Sequence, residues 1–364
     1  MAAQKVTITD IAAHAVQEPD SRRVFLLLTL KTDASISGVG ETEAGPDPLG
    51  AVARLLALKP ILVGQDATAA EVVRKKLLEA APGRTNEAAA INMALLDILG
   101  KLTRAPSYEV LGGPTRNQIR ALACLEAAKD AELKTALQQA REAGFRAFVV
   151  PLRLPDTPAR GRAFHRQTLQ LLESLRDGGA DSDFVLDCGG KVSPADAAVL
   201  ARNFERFHLL WLDEPVGAID HHTLTKIAGE SVTPVGFGRR LTDYSAFLDL
   251  LRLDAIDVLR PDICRQGITP IKKAAALAET YYVAVAPYQR GGPIATAAAL
   301  HLAAAIPNFF IQEVVFPTSE RDQRMRRELT GEATETVKNG FFPLPTRPGL
   351  GVTLNESAVK KYQF

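Results

Sequence analysis

The stretch FVLDCGGKVSPADAAVLARNFERFHLLWLDEP, residues 184–215, holds two short apolar runs that each end in an aspartate, with a helical pattern between them. FVLD closes on Asp187, a helix is expected over 194–204, and LLWLD closes on Asp213, 26 residues after the first acid. A strand, a helix and a second strand in that order form one βαβ unit, whose strands are parallel and whose crossover is right-handed.

The same alternation runs through most of the chain. Strand signals fall at IRALACL (119–125), AFVVPL (147–152), PVGFG (234–238), AIDVLRPD (255–262), VAVAP (283–287) and FFIQE (309–313). The spacing predicts helices over 131–143, 159–176, 222–229, 244–251, 270–280 and 294–305. Eight strand signals with seven helices between them predict a TIM-type barrel rather than an open sheet. Residues 1–117 have a different pattern. RRVFLLLTLKTD (22–33) reads as a strand. ASISGVGETEAG, from residue 34, reads as a turn whose glycines break the strand. Helices are expected over 51–58, 69–80 and 85–103. The first part is therefore α+β.

Bulk properties narrow the partners. The 364 residues are 46% hydrophobic and 23% charged with a net charge of +1, so neither a nucleic acid nor a membrane surface is expected as a partner. No apolar run is long enough for a membrane span and the N-terminus has no secretion pattern. The three cysteines, Cys124, Cys188 and Cys264, are far apart and suggest a reducing compartment, so a cytoplasmic protein is expected.

Barrel chemistry concentrates at the C-terminal strand ends. Taken in order these are Asp187, Asp213, Gly238-Arg239, Asp262, Tyr288 and Glu313. Any one of these acids reads as a solvated strand-end carboxylate, but several converging on one mouth need a cation to offset their repulsion. In GFGRRLT (236–242) the series meets an arginine instead of another acid.

These motifs resemble the enolase superfamily, and within it the mandelate racemase and muconate lactonizing enzyme group. The resemblance spans nearly the whole chain through ALLDILGK (94–101), LGGPTR (111–116), DEP (213–215), RPDICRQGIT (260–269), GGPIATAAALHLAAAIPNFFIQE (291–313) and RPGLGV (347–352). LDCGGKVSP (186–194) is similar to the galactonate dehydratase branch, which reads D-F-H-G-R-V-S-P. The resemblance implies a modified (β/α)7β barrel (118–320), an α+β capping domain (1–117) and a C-terminal segment (321–364) that returns to the cap. It also implies Mg²⁺ on three strand-end carboxylates, stabilising an enediolate formed by proton abstraction next to a substrate carboxylate. Substrate specificity is expected from cap loops near 18–23 and 45–50, and an even-numbered homo-oligomer is expected.

Carried over by position, the first two metal ligands fall on Asp187 and Asp213 and the third on Arg239. Aspartate is shorter than the family's glutamate at 213, and strand alternation points Glu214 the other way. The branch's histidine base falls on Gly189, the alternative lysine base on Val149 and Pro151, and the seventh-strand histidine on Tyr288. Asp262 and Glu313 are retained. None of the six histidines falls at a strand end. Arg239 either points to solvent from an eroded site or takes the metal's place between two carboxylates. The second is favoured, because an outward arginine leaves facing acids uncompensated. Arg240 is the substitute if the register shifts.

Other roles follow as expectations. Lys191 is a replacement base, Tyr288 a donor or weak acid beside Asp262, and Glu313 a retained acid. Arg153, Arg240, Arg260, Arg265 and Arg290 form a basic mouth for a small anion such as a sugar acid. The expected function is a metal-free pseudoenzyme or anion binder with no cofactor. The alternative is an active carbon–oxygen lyase, a sugar-acid dehydratase, or a racemase or isomerase, with Mg²⁺ if the metal site survives.

Overall fold

The computed structural model describes residues 5–127, 129–153, 162–176, 182–217, 220–331 and 334–364. Three antiparallel strands begin the chain: β1 (Ile8–Gln17), β2 (Val24–Thr32) and β3 (Ser37–Glu43). Eight parallel strands follow: β4 (Gln118–Cys124), β5 (Ala147–Pro151), β6 (Asp183–Asp187), β7 (Trp211–Asp213), β8 (Val235–Phe237), β9 (Val258–Leu259), β10 (Ala284–Val285) and β11 (Gln312–Val315). They pair in chain order, β11 pairs with β4, and a bridge between Val285 and Phe309 links the remaining edge. This is the modified TIM barrel with an α+β cap.

Burial explains the arrangement. Val149, Val185, Trp211, Val258, Ala286 and Ile311 fill the barrel interior, while Phe148, Phe184, Leu186, Leu212 and Leu259 pack outward under the helices. This period of two sets which strand-end residues face into the mouth.

Helices Pro194–Phe204 and Thr85–Thr103 have the bounds expected from sequence. The start of the helix expected at 159 lies outside the described residues, and its described part is Arg162–Arg176. One expectation fails: the glycines of 34–45 do not break a strand. Gly38 and Gly40 lie inside β3, where a Cβ would stand 2.0 Å from the Ala94 carbonyl oxygen and 1.9 Å from that of Ala90. They are the price of packing β3 directly on the helix Thr85–Thr103.

Two buried acids fasten the cap. Glu41 on β3 accepts from the backbone N–H of Gly292, Ile294 and Ala295 at the start of the helix Pro293–Ala305. Asp97 accepts from Val39 N at 2.9 Å and Leu350 N at 2.8 Å. The C-terminal segment adds a strand, β12 (Phe341–Pro343), antiparallel to β4, and ends beside β1, where Phe364 N donates to Ala15 O at 2.8 Å. Among the described residues no helix is long and apolar enough to cross a membrane.

Candidate functional site

Parallel register sets the first two acids side by side: Asp187 on β6 is paired with Asp213 on β7, and Asp213 with Gly236 on β8. Two residues earlier, Val185 and Trp211 point into the barrel, so both aspartates do as well. Gly236 leaves room for this. A Cβ there would lie 2.2 Å from the Trp211 ring and 2.9 Å from Asp213 Oδ1.

Arg239 follows β8 and turns inward. Its Nη2 donates to Asp187 Oδ1 at 2.9 Å and its Nη1 to Asp187 Oδ2 at 3.1 Å, and Nη1 lies 3.5 Å from Asp213 Oδ2. The side chain is 9% exposed, and its guanidinium carbon lies 5.0 Å from the Tyr288 ring centre. Burial opposes the charge, but the Asp213 and Asp187 carboxylates outweigh it and hold the guanidinium above its ordinary pKa. The converse holds at Asp187. Burial disfavours its ionisation, yet Arg239, with Arg290 beyond it, keeps its carboxyl below the usual value.

Glu214 holds the turn that aims Arg239, a role the sequence reading did not assign. β7 ends at Asp213, so strand alternation no longer governs Glu214, whose backbone is left-handed at φ 44°. Its carboxylate accepts from Gly238 N at 2.7 Å and Arg239 N at 3.0 Å. Burial, with the neighbouring Asp213 charge, pushes the Glu214 carboxyl up to about 7.

Arg260 corrects the expectation of a ligand-facing cation. It shares Val258's inward side and is fully buried. Its Nε donates to Asp213 Oδ1 at 2.9 Å, its Nη1 to Ala286 O at 2.5 Å, and its Nη2 to Glu313. Trp211 Nε1 also donates to Asp213 Oδ1, at 2.8 Å. Burial raises the Glu313 carboxyl against the pull of Arg260 and Arg290. Glu313 is thus tied to Arg260 rather than presented to a ligand.

The other expected residues disperse. Asp262 and Tyr288 are joined through a backbone bridge, but Asp262 Oδ1 accepts from Cys264 N at 2.8 Å while Arg290 Nε donates to the Tyr288 hydroxyl at 2.7 Å. Burial, and then Glu43, push Asp262 up to about 8. Burial also raises the Tyr288 phenol, so it is protonated at neutral pH and can donate but not act as a base. Arg265 lies 3.3 Å from Asp262 and lines a cleft with Arg54 and Arg84 of the cap. Arg153 pairs with Asp130 at 3.2 Å and lines another cleft, with Lys129 and Lys134. Arg153 Nη2 also donates to Ala127 O at 3.3 Å, at the edge of the mouth. Arg290 reaches further in, 3.8 Å from Asp187, and it also holds Glu126. Arg240 donates to the carbonyls of Gly217 and Gly189 at 3.2 and 3.1 Å. Lys191 is exposed and makes no ion pair among the described residues.

This donor set does not fit Mg²⁺. A hard divalent cation takes oxygen lone pairs, and a guanidinium has none to give. Both Asp187 oxygens accept from Arg239, and Asp213 is held by Trp211, Arg260 and Arg239. Two carboxylates with one guanidinium carry the same single net negative charge as three carboxylates around Mg²⁺. The arginine can therefore balance the acids where a metal would.

Comparison with known proteins agrees with this architecture. The family descriptor "Mandelate racemase / muconate lactonizing enzyme, N-terminal domain" matches residues 2–112, and "Enolase C-terminal domain-like" matches 132–358. The chain is 27% identical over 375 residues to a D-xylonate dehydratase of Haloferax volcanii, covering 98% of this chain and 88% of that protein. It is 29% identical over 353 residues to a D-galactonate dehydratase of Cronobacter sakazakii, covering 92% of this chain and 90% of that one. A mandelate racemase/muconate lactonizing enzyme-like protein of Rubrobacter xylanophilus superposes with a TM-score of 0.89 at 23% identity, over 99% of this chain and 98% of that structure, which shows the shared fold.

Proposed function

The chain belongs to the mandelate racemase/muconate lactonizing enzyme group of the enolase superfamily, and within that family we propose that it is a metal-independent binder of a small hydroxy acid rather than a catalyst of the family reaction. The observation that carries this reading is the Arg239 guanidinium, seated on both oxygens of Asp187 and beside Asp213. Forming an enediolate requires a positioned base and a preorganised cation facing the developing oxyanion. Here the guanidinium faces Asp187 and Asp213, whose charges it balances. Gly189 stands where the branch has its histidine. The protonated Tyr288 phenol cannot take a proton. The strand-end positions carry Gly189, Val149, Pro151 and Tyr288 where the resemblance implies histidine or lysine bases.

A second reading is favoured by one observation, the likeness to two acid-sugar dehydratases over nearly the full chain. On that reading the protein is a lyase acting through an altered site, with Lys191 as base. The test is a dehydration screen of aldonic acids, followed by 2-keto-3-deoxy acid formation, with Mg²⁺ and with EDTA. Binding without turnover under both conditions is expected. Turnover of any aldonic acid that stops on Lys191→Met would establish the lyase instead.

A further inference from the structure

A carboxylate of the chain itself occupies the rim above Asp187. Glu126 follows β4, and its side chain is 45% exposed. One oxygen accepts from Arg290 Nη1, and the other lies 3.7 Å from Arg23 Nε. Arg23 belongs to the turn between β1 and β2, so this one acid joins cap to barrel. Arg23 is poorly satisfied. Its Nε and Nη1 are buried without a hydrogen-bond acceptor, although Glu18 stands 3.3 Å from Nε and shares its charge with Arg326. Guanidinium N–H groups removed from water and left without acceptors are costly, so the geometry favours a better-placed carboxylate. Beside Glu126 and Arg290 opens a cleft of about 310 Å³, lined also by Ala127, Val149, Pro151 and Asp187. That volume suits a small organic acid.

We propose that Arg23 and Arg290 form a carboxylate-recognition site, and that Glu126 is a built-in competitor which an incoming hydroxy acid displaces. The proposal rests on reading the mouth as a metal-independent anion site. Exchanging one carboxylate for another leaves the charge of the rim unchanged, so ligand binding buries no uncompensated ion. Glu126 is exposed and can swing into water. The incoming carboxylate then spans Arg23 and Arg290 in its place, so occupancy of the site keeps cap and barrel joined.

An intramolecular competitor lowers apparent affinity by the fraction of time the site is free. The test is calorimetric titration of the full chain with D-galactonate in EDTA, with uncharged galactitol as the control. Glu126→Gln and Glu126→Ala should both bind D-galactonate at least about tenfold more tightly than the unaltered protein. Adding Arg23→Gln to either should remove the gain, and galactitol should not bind. Binding by both Glu126 variants that is no tighter than in the unaltered protein, or absent in all of them, would overturn the proposal. The same titration of the unaltered protein with Mg²⁺ separates the two readings. Binding that appears only with Mg²⁺ contradicts the metal-independent mouth, whereas the ratio between variant and unaltered protein tests the competitor.

Discussion

Arg260 and Arg239 divide the charge of the mouth between them, one below the acids and one above. Arg260 is fully buried between Asp213 and Glu313, so removing it takes away the guanidinium that two buried carboxylates share. Arg260→Met should cost about 3–5 kcal/mol of stability, read as a lower urea midpoint, since breaking a buried pair leaves uncompensated charge. Arg260→Lys should recover little of this, because one ammonium cannot span Asp213, Ala286 O and Glu313 together. The even spacing of strand ends made Asp187, Asp213 and Arg239 legible in the sequence. Period-two alternation from Val258 would have placed Arg260 inward as well, but its position just past a strand end read as a mouth cation. Glu126 and Arg23 were not legible as a pair, because they meet only through the cap–barrel contact, across a long stretch of sequence.

At the scale of elements, the strand–helix alternation was legible because helices such as Arg162–Arg176 and Tyr244–Arg252 carry one apolar stripe and the barrel strands are largely buried on both faces. The exception was β3. Its glycines read as breakers, whereas they form the surface on which the helix Thr85–Thr103 rests. Close approach of two backbones has no local signature, since it depends on which helix arrives. Gly40→Ala should force that helix away from the sheet and cost about 1–3 kcal/mol or more, measured by chemical unfolding. The substitution Gly45→Ala makes a comparison: a Cβ there meets nothing within 4 Å, so only its left-handed φ of 68° is strained. It should cost about 1 kcal/mol, in the lower part of the range for the clash at Gly40.

At the scale of the molecule, the acids at the cap–barrel junction and the mouth couple folding to pH. Glu41 is raised from 4.5 to about 7 by burial, Glu214 to about 7, and Asp262 from 3.8 to about 8. Each binds its proton more tightly folded than unfolded, so its contribution is fully present below its unfolded pKa and is lost as pH rises through the folded one. His301 works the other way. Burial lowers it from 6.5 to about 4, so stability gained from it grows only up to its unfolded value. Between pH 6.5 and about 8 the His301 contribution no longer grows while the raised acids still lose theirs, so the melting temperature should fall as pH rises. Asp262→Asn, which keeps an acceptor for Cys264 N, should flatten that slope in a thermal scan, and an unchanged slope would remove Asp262 from the explanation. The replacement of metal by guanidinium rests on Arg239. Calorimetric titration with Mg²⁺ of the unaltered protein and of Arg239→Glu, which returns a third carboxylate to the mouth, addresses it directly. No binding to the unaltered protein and saturable one-to-one binding to the variant is the expected result; stoichiometric Mg²⁺ on the unaltered protein would contradict it.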